Sequence, residues 1–296
     1  MNIKLPNPFK LLITLFLCLL LSENKLSAQT RRALVIGISE YPKESGWHRI
    51  NGSNDIEIIV RTLNQFGFQN RNIQTLRNNE ATKRAIVSGF ENLIRTSQRG
   101  DIVYIHFSGH GQLITDLDGD EESGYDEAWI PYDAKRRFVR GVYEGENHLI
   151  DDQVNELLHR LRNVVGESGD ILVVVDACHS GGSTRNIGDD EFIMRGAMDR
   201  FVIPLTERPA RRPPNTTNWT TISASESFQS NFETRINGRW FGSLSYAIYS
   251  NRERISNADS YLFIFSILKG AVNNLVRFPQ TPVIENGNRQ NLIFVR

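Results

Sequence analysis

The stretch ILVVVDACHSGG, Ile171 to Gly182, carries the first information about the fold. Five apolar, mostly β-branched residues in a row need cover on both sides. A parallel strand inside an α/β sheet has that cover, and a half-solvated antiparallel strand does not. The run stops at an acid, a cysteine and a set of small residues. Open α/β sheets place their sites at such carboxyl ends of strands. A second stretch repeats the design: DIVYIHFSGHG, Asp101 to Gly111, is an apolar strand that runs into His110 between two glycines.

Working outward, Ala33 to Ile38 is another buried-strand candidate, and residues 72–76 a short one. Asp55 to Phe66 has Ile56, Ile59, Val60 and Leu63 on one helical face, with Gly67 as a stop signal. Ala81 to Ile94 and Asp152 to Leu161 read as helices in the same way. Gln112 to Asp126 reads as a polar loop leading into the apolar stretch Ala128 to Tyr132. Between Thr184 and Asn218 the pattern dissolves into an arginine- and proline-rich segment containing ERPARRPPN. It resumes at Trp219 to Ala224, continues with helices over Gly242 to Tyr249 and Tyr261 to Val276, and closes with strand-like Pro282 to Val295. Short strands alternating with amphipathic helices predict an α/β layer fold with a mainly parallel central sheet flanked by helices.

Lys4 and Lys10 followed by the apolar run Leu11 to Leu21 predict an export signal over residues 1–28, cut after Ala28. The run is short for a membrane span, so a secreted or periplasmic protein is expected, with no membrane attachment after signal removal. Residues 29–296 suffice for one large domain. The chain has 34 basic and 34 acidic side chains and no basic block, so no nucleic-acid partner is expected. Cys18 leaves with the signal and Cys178 stands alone, which excludes an internal disulfide. A lone cysteine in an exported chain is either a buried apolar side chain or a working thiol.

Thiol catalysis needs a thiolate and an imidazole that holds the proton and later delivers it. Cys178 and His110 supply the pair at two strand ends, with glycines that let a substrate approach the backbone. Amides of the small residues around Cys178 are candidate oxyanion donors. Asp116, Asp118, Asp120, Glu121, Glu122, Asp126 and Glu127 crowd seven carboxylates into one loop. An EF-hand is excluded, because Glu121 stands where its glycine belongs. His106, His110 and His179 lack the helical spacing and further ligand of a zinc site, and no metal is assigned to them.

SGHG followed by DACHSG resembles the caspase-like cysteine peptidases of clan CD, and within them the metacaspases and their bacterial relatives. RRALVIGIS, GSND, DLDGDEESGYDEAWIPYD, SLSYAI and FPQTPVI extend the resemblance over residues 31–296. It implies a caspase-like three-layer sandwich, with a large-subunit-like part 31–185, a flexible linker 186–218 and a small-subunit-like part 219–296. It also implies a cysteine endopeptidase in which Cys178 attacks the scissile carbonyl and His110 protonates the leaving amine. The amides of Gly111 and Cys178 would form the oxyanion hole. Asp176, in place of the glutamine of animal caspases, and Ser108 would line a pocket for a basic residue, so protein or peptide substrates with arginine or lysine before the cut are expected.

The family's second pocket acid falls here on Ser227 or Phe228, with Glu226 off register. No cofactor is required for the chemistry. Calcium is the candidate activator, through acids at Asp126, Asp151 and Asp152, although Arg185 replaces a further acid. A solvated acidic loop is the alternative. Arg195, Arg200, Arg208, Arg211 and Arg212 make the linker a candidate for self-processing near residue 212. Two other readings stay open: a non-catalytic peptide-binding module on the same fold, and a protease of other specificity.

Overall fold

The structure is a computed structural model describing residues 29–178, 192–197, 199–206, 210–211, 217–227 and 229–286. The expected export signal therefore lies outside the described residues, as do Arg185, Arg208, Arg212 and Phe228.

In chain order the strands are β1 (Arg31–Gly37), β2 (Ile73–Arg77), β3 (Ile102–Ser108), β4 (Gly111–Thr115), β5 (Tyr125–Trp129), β6 (Leu149–Ile150), β7 (Asp170–Asp176), β8 (Thr220–Ser223), β9 (Glu233–Ile236), β10 (Arg239–Gly242) and β11 (Val283–Glu285). The main helices are α1 (Gly52–Gln65), α2 (Lys83–Thr96), α3 (Asp151–Val165), α4 (Ser243–Ser250) and α5 (Tyr261–Leu275). Among the described residues no helix is long and apolar enough to cross a membrane.

Six strands form the central sheet in the order β11-β8-β7-β3-β1-β2. All its pairings are parallel except β11 against β8. The period-two alternation of the strands sorts side chains to two faces. Ala33, Val35, Tyr104, Leu172 and Val174 meet α1, α4 and α5, while Leu34, Ile36, Val103, Ile105, Ile171 and Val173 meet α2 and α3. This is the three-layer sandwich expected, with its core on both faces of the sheet. The apolar run at Ile171 is continuous because both of its sides are covered.

Three departures from the sequence reading bear on the site. The expected polar loop after Gly111 begins as a strand: β4 pairs antiparallel with β5, and β6 adds to β5, giving a small separate sheet. Its cross-strand partners lie on the far side of an acidic turn that hides the pairing from local patterning. A hairpin of β9 and β10 precedes α4. Finally, the expected flexible linker contains a built-in portion, since Arg195 and Ala197 are buried and Phe201 bridges to Ile114 of β4.

Candidate active site

β3 and β7 lie side by side in parallel, with Ser108 opposite Asp176. His110 and Cys178 each follow two residues later, and Gly109 donates its N–H to the Asp176 carbonyl at 3.4 Å. Sheet register therefore delivers the two residues to the same rim, although they are far apart in sequence.

The imidazole of His110 is fully buried. It stacks on Trp47, with centroids 4.8 Å apart and planes 26° apart, and meets the edge of His48 at 4.5 Å. Its Nε2 lies 2.9 Å from the His48 carbonyl oxygen, which can only accept. The proton is therefore on Nε2, and Nδ1 presents a lone pair; Nδ1 has no hydrogen-bond partner among the described residues. Burial holds the pKa of His110 well below the ordinary histidine range, and neighbouring His48 adds to the effect. The ring is thus neutral at pH 7, in the tautomer that can accept a proton from a thiol.

Cys178 is fully buried, and its thiol donates to the Gln229 carbonyl oxygen at 3.2 Å. Its cover is the chain's own segment around Gly196. A Cβ on Gly196 would fall 2.5 Å from the Cys178 carbonyl oxygen and 2.9 Å from its Cβ. At φ +148° the residue also adopts a backbone conformation that L side chains rarely reach. The main chain after Arg195 therefore lies directly over the candidate nucleophile.

Arg195 itself is fully buried. Its Nη2 lies 2.9 Å from Asp55 and 3.1 Å from Glu233, and its Nη1 3.4 Å from Asp176. Nε donates to Glu233 at 3.1 Å, and Nη1 to the Ser108 hydroxyl at 2.7 Å. Ser108 donates in turn to Asp55 at 2.6 Å. Gly242 forms a wall of the box, since a Cβ there would lie 2.1 Å from an Asp176 carboxylate oxygen and 2.4 Å from Nη1 of Arg195.

Burial works against every charge in this box, and the outcomes differ. Asp176 is held below its ordinary value because Arg195 and hydrogen bonds from Asn231 and Ser245 outweigh burial. Asp55 is pushed up to about 6 by burial, with Asp176 and Glu233 adding repulsion and Arg195 opposing. Arg195 is held above its ordinary value because the three carboxylates outweigh its burial. Breaking such a pair by removing one partner leaves an uncompensated buried charge, a loss of about 3–5 kcal/mol in general.

The segment carrying Arg195 runs as an added strand. Arg195 N–H donates to Asn231 O at 2.9 Å, Glu233 N–H donates to Ile193 O at 2.8 Å, and Met194 bridges antiparallel to Phe232. Edge pairing of this kind is how extended peptides bind to sheets, with main-chain bonds giving affinity and alternate side chains entering pockets. Met194 O also lies 3.0 Å from Nε2 of His48.

The structure brings Cys178, His110, Asp176 and Ser108 into one region, and Gly111 joins them. Ile130 N–H bonds to His110 O, so the neighbouring 111–129 pair occupies a position where the Gly111 amide turns away from β5. Ser227, one of the two expected places of the second pocket acid, is exposed and bonds to Glu127, while Phe228 lies outside the described residues. Around Arg195 the further acids are Asp55 and Glu233. Asp55 had a signal in the sequence, since it sits one helical turn before Ile59 on the apolar face of α1. Glu233 had none.

In the acidic loop, carboxylate oxygens of Asp120, Asp126 and Asp152 lie within 4.8 Å of one another, as do those of Asp116, Asp118 and Asp120. Asp151 falls in neither group. Asp126 is pushed up to about 7 and Asp120 to about 6, first by burial and then by neighbouring carboxylates. Buried oxygens of Asp118 and Asp126 have no hydrogen-bond partner among the described residues. His106, by contrast, is occupied by Tyr104 and Ser245, and burial holds it at about 4.

The family model for the metacaspase, peptidase C14 domain matches residues 31–185. Metacaspase-1A and metacaspase-1B of Aspergillus fumigatus are each 32% identical over 160 residues, covering 51% of this chain and 35% of the relative. The chain thus spans about a third of the length of these curated relatives. The solved structure of protein GSU0716 from Geobacter sulfurreducens aligns with a TM-score of 0.61 at 19% identity, covering 90% of this chain and 98% of that one.

Proposed function

The chain belongs to the metacaspase family, and on that premise we propose that it is a cysteine endopeptidase cutting after arginine or lysine. One observation carries the specificity: a guanidinium sits in a closed box of Asp55, Asp176 and Glu233 while the main chain that bears it crosses Cys178. A buried sulfur would argue against a peptidase if nothing could reach it. Here the cover is itself an extended peptide.

In the proposed reaction the Cys178 thiol gives its proton to Nδ1 of His110, and the sulfur attacks the carbonyl carbon of the basic residue. The His48 carbonyl holds the ring by its Nε2–H throughout. The carbonyl oxygen's charge is taken by the amides of Gly111 and Cys178. The C–N bond breaks as His110 returns the proton to the leaving amine. Water then hydrolyses the thioester, passing a proton to Nδ1 and from there to the sulfur.

Self-processing is part of this reading, at Arg195–Gly196 rather than near residue 212. Arg195 occupies the box, whereas Arg211 pairs on the surface with Glu122. Calcium fits the acidic loop, where buried carboxylate oxygens of Asp118 and Asp126 have no hydrogen-bond partner among the described residues. Asp120, Asp126 and Asp152 would hold it. The ion would neutralise the loop that follows β4 and tie it to the first turn of α3. The export signal expected over residues 1–28 would place the activity outside the cytoplasm.

Turnover of an arginyl coumarin amide with and without calcium tests the activity. Replacing Cys178 or His110 with alanine should lower it by at least about a thousand-fold; full activity in either variant would refute the assigned roles. Intact mass should show a cut after Arg195 in the native chain, none in the Cys178→Ala chain, and an unchanged cut in the Arg211→Ala chain.

A further inference from the structure

The proposed reading accounts for the arginine in the box, but not for the side chain three residues before it. Phe192 is the first described residue of the added strand. Its ring meets Phe278 edge to face at 4.9 Å and 72°, and Phe278 meets buried Phe232 at 4.8 Å and 34°. The guanidinium of Arg277 lies 5.7 Å from the Phe192 centroid, in reach of its π face. Ile193 and Arg195, which follow Phe192, have fixed main-chain partners in Glu233 and Asn231, so this ring marks a definite position relative to the bond over Cys178.

The surrounding wall comes from two segments that the catalytic pair does not use. Phe232 lies at the start of the β9 hairpin, and Phe278 in the turn between α5 and β11. That turn is tied to the same strand, because Gln280 accepts from Phe232 N–H at 2.9 Å and donates to the Asn231 side chain at 2.9 Å. Asn231 in turn donates to Asp176 in the arginine box. A cavity of about 280 Å³ beside Phe192, lined also by Thr234, Trp240 and Leu275, leaves space for a larger ring.

We infer that Phe232, Phe278 and Arg277 form a subsite that selects an aromatic side chain three residues before the cut basic residue, making the substrate class extended peptides of the form aromatic-x-x-Arg. This rests on the reading of Phe192 to Arg195 as an occupant of the cleft in substrate fashion. Aromatic faces and edges complement one another, and the cation of Arg277 adds attraction for a π face while disfavouring a lysine or arginine there. Asp or Glu at that position would meet Arg277 but forfeit both ring contacts.

The test uses tetrapeptides X-Ile-Met-Arg, with X as Phe, Trp, Leu, Ala or Asp. Each is presented as a coumarin amide to the native chain. Each is also presented as a fluorescein-labelled peptide to the Cys178→Ala/Phe192→Ala chain, in which the chain's own occupant has lost its aromatic anchor. Phe and Trp should exceed Ala on the order of ten-fold in kcat/KM and in affinity by fluorescence anisotropy. In the Phe278→Ala chain the Phe-to-Ala ratio should fall towards one. Equal handling of Phe and Ala in both assays, or preference for Asp, would overturn the subsite even if every arginyl peptide is cut. If no peptide is cut but anisotropy still ranks Phe above Ala, the subsite stands and the peptidase reading falls.

Discussion

Among the described residues two groups of carboxylates are buried or half-buried, and they are partnered differently. Asp55, Asp176 and Glu233 close around the guanidinium of Arg195, and Asp176 stays below its ordinary pKa despite complete burial. Asp116, Asp118, Asp120, Asp126 and Asp152 crowd together in the loop after β4 and at the head of α3. There burial and mutual repulsion drive Asp126 up to about 7 and Asp120 to about 6. The difference lies in the partner rather than the depth. A cation and a ring of donors keep Asp176 ionised in the first cluster, although Asp55 beside it is pushed up to about 6, and the second keeps buried oxygens without hydrogen-bond partners among the described residues.

The comparison can be broken most forcefully at Asp176. Asp176→Asn removes one charge from the box while keeping its shape. It should lower kcat/KM for arginyl peptides by about a hundred-fold or more, given what removing one partner of a buried pair costs. Steady-state kinetics on arginyl and uncharged peptides would check this, and equal losses on both would place Asp176 outside the specificity pocket.

A smaller effect is expected where shape alone is disturbed. Gly242→Ala adds a methyl group that would sit 2.1 Å from Asp176 and 2.4 Å from Arg195. Overpacking of this sort costs about 1–3 kcal/mol, and thermal unfolding should report it together with reduced self-processing. An unchanged Tm and an unchanged cut would mean that the box is looser than drawn.

The gentlest test is a titration. Asp126 has a folded-state pKa near 7 against an ordinary value of 3.8. Its contribution to stability is therefore fully present below about pH 4 and is lost as pH rises through 7. Without calcium, Tm should decline by about a few degrees over that interval, and Asp126→Asn should flatten the decline. Asp176, with its lowered value, contributes in the opposite sense, and its share is lost only as pH falls below about 4. A calcium-free profile without slope between pH 4 and 7 would remove the contrast between the clusters.

The residues of the candidate site could be picked out before any coordinates. Cys178, His110, Ser108 and Asp176 stand at the ends of apolar strands with glycines nearby, and period-two and period-3.6 patterns gave most of the strands and helices that carry them. β4 was not legible, because its pairing to β5 runs across a turn dense in acids. Arg195 read only as one of five arginines in a flexible linker, since a charged residue beside a glycine and ahead of a proline-rich stretch has no local sign of burial.

The amino-acid order alone determined which residues could do chemistry and that both candidate groups follow strands. Tertiary structure alone decided what surrounds them. The carbonyl that fixes the His110 tautomer comes from His48, 62 positions away, and Glu233 reaches Asn51 across 182 positions. Periodicity reports each segment's own buried face, because the hydrophobic effect acts on every side chain wherever its neighbours come from. A hydrogen bond or ion pair depends on the identity and position of one particular partner, and only the folded chain supplies that.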